Sequence, residues 1–319
     1  MNSLRGRDRV FVVRARRVAR WCRDPLAVLG RMARVAIDVG QAGPALSTAP
    51  VARTVVVASE VRTGSTMLCE LLRSTDVCGD PQEFLGTHAF EAWGQAYGVP
   101  KLNRSQVAAQ WWRRVRLRRY WNRTANFDAE EIRRYLDDVM RRRTSSNGVF
   151  AINIHWHQWV EMRKLGLDES LFRGEVTWVH LWRQDVVAQA VSALRALQTD
   201  TWRSNGVARA RPEEAAYDEM ELDRYVDRAV DGYEGWKQFF TERGVQPLEV
   251  TYEQMVQDRR STVIDILEAS HLGDDDSWDH LTIEATTARQ STGLNAQWAA
   301  RYRRDHPSAG LGPARQPSR

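Results

Sequence analysis

One stretch of the chain leaves little choice of fold. Thr54-Val55-Val56-Val57-Ala58 is a short run of apolar, mostly β-branched residues with no polar alternation, the pattern of a strand buried on both faces of a parallel sheet. It passes directly into Ser59-Glu60-Val61-Arg62-Thr63-Gly64-Ser65-Thr66, and then into Met67-Leu68-Cys69-Glu70-Leu71-Leu72-Arg73, whose apolar residues recur at helical spacing. Three further runs read as strands: Val149 to Ile154, Val176 to Leu181 and Leu248 to Tyr252. Between them lie helical patterns, one from about Glu130 to Arg143 and one from about Glu213 to Glu242. The latter aligns Leu222, Val226, Ala229, Tyr233, Trp236 and Phe240 on one stripe. Strands alternating with helices predict an α/β fold, a central parallel β-sheet flanked by helices.

A buried strand, a tight Gly/Ser/Thr loop and a helix form a recurring anion trap. The first backbone N–H groups of a helix have no internal partner and the helix dipole is positive there. In this loop Gly64 lets the backbone approach an anion, Thr63, Ser65 and Thr66 offer hydroxyls, and Arg62 supplies positive charge. The same residues also suit an ordinary strand-to-helix turn with a Ser or Thr cap. The loop is not a Walker A sequence, because it lacks the Gly-Lys-Ser/Thr that contacts a transferred phosphate and holds magnesium. The expectation is therefore chemistry without a metal.

At 319 residues the chain can bury a full core, and 43% hydrophobic with 27% charged residues is ordinary for a globular protein. The formal net charge is +5 and almost all the positive charge is arginine, Lys101, Lys164 and Lys237 being the only lysines. Cys22, Cys69 and Cys78 show no CxxC pair and no histidine partners at metal-like spacing. They read as reduced thiols of a cytoplasmic protein. No run is long and apolar enough to span a membrane. Residues 1–50 form a basic, arginine-rich extension ending in Gly40, Gly43 and Pro44. It admits a peripheral contact with an anionic membrane, while no base-reading motif points to nucleic acid. The folded domain is expected over 51–304, with a disordered tail over 305–319.

Several ordered blocks then resemble a known family. They are Arg62-Thr63-Gly64-Ser65-Thr66 with Cys78-Gly79-Asp80-Pro81-Gln82-Glu83-Phe84, and Val179 to Ser192, followed by Leu197-Gln198-Thr199 and Trp202-Arg203. Pro247 to Glu253 and Ala288-Arg289-Gln290 to Tyr302 complete the series. Over roughly 54–304 the chain resembles the bacterial trehalose 2-sulfotransferase family, whose donor is 3'-phosphoadenosine 5'-phosphosulfate (PAPS). The resemblance implies a P-loop-like nucleotide-binding sulfotransferase architecture, and a sulfuryl transfer to a hydroxyl of a small, sugar-containing or glycolipid-type acceptor without a metal. By motif position, Arg62, Thr63, Gly64, Ser65 and Thr66 would hold the 5'-phosphosulfate, and Arg183 and Ser192 the 3'-phosphate. Arg289 and Gln290 would close over the nucleotide. Glu83 would be the general base and Arg62 would stabilise the leaving oxygen. Asp80, Pro81, Gln82, Glu83, Phe84, Leu85 and Gly86 would form the acceptor-binding stretch, with Gln82 bonding hydroxyls and Phe84 stacking on a sugar ring. The resemblance also admits a homodimer.

The chain departs from the family pattern at three places. Val61 stands where a glutamine is common, Asn153 where relatives carry lysine, and residues 86–125, with Trp111, Trp112, Tyr120 and Trp121, align with nothing familiar. Val61 and Asn153 leave open a nucleotide-binding protein without turnover, and the loop leaves open a phosphoryl-transfer enzyme. His155 and His157 are alternative proton acceptors, read first as packing residues.

Overall fold

The computed structural model describes residues 44–99, 127–199, 215–272, 278–285 and 293–307. Four strands form one sheet: β1 (Arg53–Ser59), β2 (Val149–His155), β3 (Glu175–Trp182) and β4 (Leu248–Thr251). Their order is β2-β1-β3-β4 and every pairing is parallel. All four expected strands are present with ends within one residue of expectation.

β1 lies at the centre because it is the run that is apolar on both sides. Val55 and Val57 face one core with Val149, Ala151, Val179 and Leu181. That side is covered by α1 (Ser65–Ser74) and, beyond β4, by α7 (Tyr252–Gln257) and α8 (Arg259–Ala269). Val56 and Ala58 face the other core with Phe150, Ile152, Ile154 and Trp178. That side carries α2 (Thr87–Tyr97), α3 (Ala129–Arg143), α4 (Trp156–Lys164) and α6 (Glu219–Arg243). It is rich in aromatic side chains: the Trp159 ring lies 5.4 Å from Phe239 and the Trp178 ring 6.0 Å from Trp236. A third cluster joins α5 (Val186–Thr199) to α6 and α9 (Gly293–Asp305) through Val187, Val191, Leu194, Leu222, Trp298 and Tyr302.

On α6 the expected stripe is largely core, with Leu222, Ala229, Trp236 and Phe240 buried and Val226 and Tyr233 half-buried. The helix is capped by Asp218, whose side chain accepts from the Glu221 amide, and residues 215–217 do not extend it. Gly235 is required on this helix because a Cβ there would lie 2.1 Å from the Trp156 ring.

The connection after β1 leads to β2 on one side, and the connection after β3 leads to β4 on the other. Their carboxyl ends therefore form the switch point of the sheet, where open α/β folds bind ligands. The loop Glu60–Gly64 follows β1 and Arg183 follows β3, so both reach this crevice.

The described parts of the two terminal segments are attached to the domain. The Leu46 amide donates to the Arg142 carbonyl at 3.0 Å, and the Ser47 hydroxyl donates to the Thr144 and Ser145 carbonyls, each at 3.0 Å. The boundary expected at residue 51 thus falls inside a segment already bonded to α3. At the other end α9 runs to Asp305 and His306 contacts Glu219 at 3.0 Å. The tail expected from 305 thus opens with ordered, bonded residues. Residues 1–43 of the basic extension and residues 308–319 of the tail lie outside the described residues.

Trp236 ties the aromatic core to the site, since its indole N–H donates to the Ser59 carbonyl at 2.9 Å at the end of β1. Trp236→Ala is expected to cost about 3–5 kcal/mol of unfolding free energy, read by urea denaturation.

Candidate active site

The loop after β1 is shaped by its backbone. Arg62 has φ 67° and Gly64 has φ 89°, so two left-handed residues flank Thr63. The Thr63 amide between them donates back to the Glu60 carbonyl at 3.3 Å, so the turn closes on itself before the helix starts. Glycine is required at 64 for a second reason, as a Cβ would sit 2.7 Å from the Tyr252 ring and 2.8 Å from the Met255 methyl. Gly64 is also the N-cap of α1, and no side chain caps that helix start. Thr63 does not present its hydroxyl outward: it is buried and donates to the Glu60 carbonyl at 2.8 Å, closing the turn. Its contribution is shape, leaving the α1 start with Ser65 and Thr66 as the polar groups of the loop.

The loop side chain Arg62 reaches across to α5, where its Nε donates to the Ser192 hydroxyl at 2.9 Å. A hydroxyl that accepts one bond can still donate its own hydrogen. Arg183, at the end of β3, lies over the Tyr252 ring at 4.5 Å and 3.9 Å from Glu253. Asp185, close by in sequence, is paired with Arg303 at 2.6 Å. Burial and the charge of Arg183 together lower the Arg62 guanidinium to about 10. Two arginines that repel each other, beside an uncapped helix start, form a site suited to an anion with more than one charge. Arg62, Ser192 and Arg183 are thereby brought together from three elements. Arg289 and Gln290 lie outside the described residues.

The segment from Asp80 to Gly86 runs beside β2: Gln82 forms a bridge with Ile152, and the Asn153 amide donates to the Gln82 carbonyl at 3.0 Å. Asp80 anchors it by pairing with Arg73 and, at 3.5 Å, with the buried Arg143. Arg73 also donates to the Pro81 carbonyl at 3.1 Å. Gln82 gives its amide nitrogen to Asp80 at 2.7 Å. Asp80 and the Gln82 amide nitrogen thus hold the segment. Phe84 and Leu85 are each 1% exposed. Phe84 packs between Trp93 and Phe150, and its carbonyl accepts from the Tyr135 hydroxyl at 2.8 Å. Its ring belongs to the core, where no sugar can stack on it, and this corrects the expectation.

Glu83 stands beside the end of β2 and keeps 42% of its side chain exposed. The Gln158 amide donates to its Oε1 at 2.6 Å and His155 Nε2 lies 3.3 Å from its Oε2. Gly86 closes the turn with a bond of 3.1 Å to the Glu83 carbonyl, and a Cβ there would come within 3.0 Å of Oε1. Burial works against the charged form of Glu83, but His155 and Gln158 outweigh it and bring the carboxyl down to about 2. Glu83 is therefore ionised and aimed.

Sequence reasoning did not foresee a second charged cluster beneath the loop. Glu60 is buried, and its Oε1 accepts from the Val61 amide at 3.0 Å and pairs with Arg228 at 3.1 Å. His157 Nδ1 lies 3.7 Å from the same oxygen and 2.9 Å from Arg228. Burial opposes the charge on Glu60, yet Arg228 and His157 hold it well below the ordinary carboxylate range. Gly232 makes room, since a Cβ would meet Glu60 Oε2 at 2.9 Å. Glu60 and Arg228 are 168 residues apart, and a charged residue on a long amphipathic helix carries no signal of such a partner. Asn153 accepts from the Ser59 hydroxyl at 2.6 Å. Among the described residues no group of three or more His, Cys, Asp or Glu could hold a metal ion.

The family model described as Stf0 sulphotransferase matches residues 54–305, and the chain belongs to that family. A trehalose 2-sulfotransferase of Mycolicibacterium smegmatis is 28% identical over 286 residues, covering 80% of this chain and 96% of the relative. A trehalose 2-sulfotransferase of Mycobacterium tuberculosis is 26% identical over 289 residues, covering 81% and 97%. Among solved structures, a sulfotransferase from Alicyclobacillus acidocaldarius aligns over 79% of this chain and 91% of its own, at 13% identity and a TM-score of 0.39.

Removing Arg228 leaves the Glu60 carboxylate buried beside a histidine alone. Arg228→Met is expected to lose about 2–3 kcal/mol at neutral pH, less than a fully buried pair would cost because Arg228 is part exposed. Glu60 has a depressed folded-state pKa, so its pairing stabilises above the unfolded carboxylate pKa and fades on acidification. The deficit should shrink as pH falls below about 4.3. Urea titrations across pH read it.

Proposed function

We propose that this sulphotransferase-family chain transfers a sulfuryl group from PAPS to a hydroxyl of a carbohydrate acceptor, with Glu83 as general base. One observation carries the reading. At the switch point of the sheet, two mutually repelling arginines and an uncapped helix start lie at one end, and an ionised carboxylate stands at the neighbouring end of β2.

The residues present fit the donor. It carries anionic groups at two positions, and the crevice offers two guanidinium groups from separate strand ends. The start of α1, Ser65, Thr66 and Arg62 would hold the 5'-phosphosulfate, and Arg183 with Ser192 the 3'-phosphate. When bound, the donor supplies an electron-poor sulfur and a good leaving group. The chain's own part is to place the acceptor hydroxyl, accept its proton and neutralise the charge that develops.

In the transfer the acceptor oxygen forms a bond to sulfur while the bond from sulfur to the bridging phosphate oxygen breaks. The hydroxyl proton passes to Glu83, which contributes on the order of 10²–10⁴-fold if the carboxylate is within hydrogen-bond reach. The negative charge released on the bridging oxygen falls to Arg62 and the helix-start amides. A carbohydrate acceptor is supported by the two curated relatives, whose names specify trehalose. Gln158 and His155 hold the base, so acceptor recognition belongs to groups around it rather than to the buried Phe84.

Two measurements test this. Glu83→Gln should bind 3'-phosphoadenosine 5'-phosphate with unchanged affinity in calorimetry and lose at least about 10²-fold in kcat. Undiminished turnover would remove the base from its role. Arg183→Ala should weaken 3'-phosphoadenosine 5'-phosphate by about tenfold or more, the scale of one charge-assisted contact, and adenosine 5'-phosphate far less. Equal weakening of both nucleotides contradicts the 3'-phosphate assignment.

A further inference from the structure

His155 ends β2 and is 5% exposed. Its ring has an acceptor or donor on each side: the Ser59 hydroxyl lies 3.0 Å from Nδ1 and the Glu83 carboxylate 3.3 Å from Nε2. Ser59 in turn donates to Asn153 Oδ1 at 2.6 Å. A serine has one hydrogen to give. Since it goes to Asn153, the Ser59 oxygen can only accept from His155, so Nδ1 carries a proton. Nε2 then faces a carboxylate oxygen, and the contact requires a proton between them. Asn153, Ser59, His155, Glu83 and Gln158 thus form a chain of bonds in which the histidine and the carboxylate together hold one proton beyond the Nδ1 hydrogen.

We propose that His155 is a positioning residue for the transfer, sharing that one proton with Glu83 and holding the carboxylate as an aimed, ionised acceptor. The proposal rests on the base assignment of Glu83 made above. The unreacted pair is an imidazolium and a carboxylate, net neutral. Glu83 then takes the acceptor hydroxyl proton while His155 keeps both of its own, so the pair ends with one positive charge. That charge appears on the side of the crevice where the sulfated product forms, as the departing nucleotide gains negative charge at Arg62.

The groups that face His155 act in known directions. Burial disfavours its cationic form, Glu83 and Glu60 favour it, and Arg228 opposes it; the balance raises its pKa. His157 stacks on it with ring centres 5.8 Å apart, and its own pKa is lowered, burial being the main cause. A raised histidine pKa means the pairing is complete below the ordinary value and is lost as pH rises through the raised one. Of the two stacked rings, the one with the raised proton affinity is the one that touches Glu83. Burial first, and Arg228 with it, keep a second positive charge from accumulating on His157 against the pull of Glu60.

The test uses the full chain. In protein labelled with ¹⁵N-histidine, His155 should show two protonated ring nitrogens at neutral pH, and its titration midpoint should fall in Glu83→Gln. A neutral ring protonated only at Nε2, which follows if the Asn153 amide is turned over, would overturn the shared proton, as would a midpoint that Glu83→Gln leaves unmoved. In His155→Asn and His155→Gln, the acid limb of kcat/KM for acceptor should rise towards the ordinary carboxylate value of about 4.3, because burial then acts on Glu83 with only His157 and Gln158 left to oppose it. Binding of 3'-phosphoadenosine 5'-phosphate should stay as it is. An unchanged pH profile in folded variants would overturn the positioning role. The nuclear resonance reading needs no turnover, so full activity in Glu83→Gln would count against the base assignment, and an unmoved His155 titration against the shared proton.

Discussion

Repulsion between Arg62 and Arg183 is the constraint around which the carboxyl edge of the sheet is organised. Neither guanidinium would choose the other's company in solution. They are held there because β1 and β3 are adjacent strands that end together, each fixed by apolar cores on both faces. Burial, and after it the charge of Arg183, lower the proton affinity of Arg62 to about 10, and an anion placed between the two guanidinium groups relieves the repulsion. The rigid sheet thus stores a preference for a multiply charged ligand.

The remaining polar residues of the edge divide by what they hold. Ser192 and Tyr252 support the two arginines, one by a hydrogen bond and one by its ring face. Asp80, Arg73 and Arg143 pin the segment that carries Glu83 against β2. Glu60, Arg228 and His157 form a closed ion-paired cluster beneath the loop, fixing its first residue. Such a buried cluster is weak evidence for added stability, but breaking it exposes an uncompensated charge. Its effect here is to fix Glu60, whose carbonyl accepts both the Thr63 amide and the Thr63 hydroxyl as the turn closes.

The fold was legible because its signal is local. Four runs with β-branched residues, two long amphipathic helices and a Gly/Ser/Thr loop each follow from spacing alone, and all four strands appear where spacing puts them. The site was legible in part. Arg62, Arg183 and Ser192 follow from motif positions and come together in space, and Glu83 stands partly exposed beside the end of β2. Phe84 and Leu85 did not follow, because a motif position says nothing about which way a side chain turns. Phe84 is turned inward by Trp93, Phe150 and Tyr135, the last bonding to its backbone.

The sequence by itself determined the buried central strand, the anion loop behind it and the chemical types placed at the sheet's edge, because these depend on periodicity and on neighbours a few residues away. Only the tertiary structure decided which carboxylate is open, which is buried and paired, and which histidine gains proton affinity and which loses it. Glu83 meets His155 from a distant stretch of chain, and Glu60 meets Arg228 across 168 positions. Protonation is set by burial and by charges within a few ångströms, and those distances exist only once distant strands and helices have packed together.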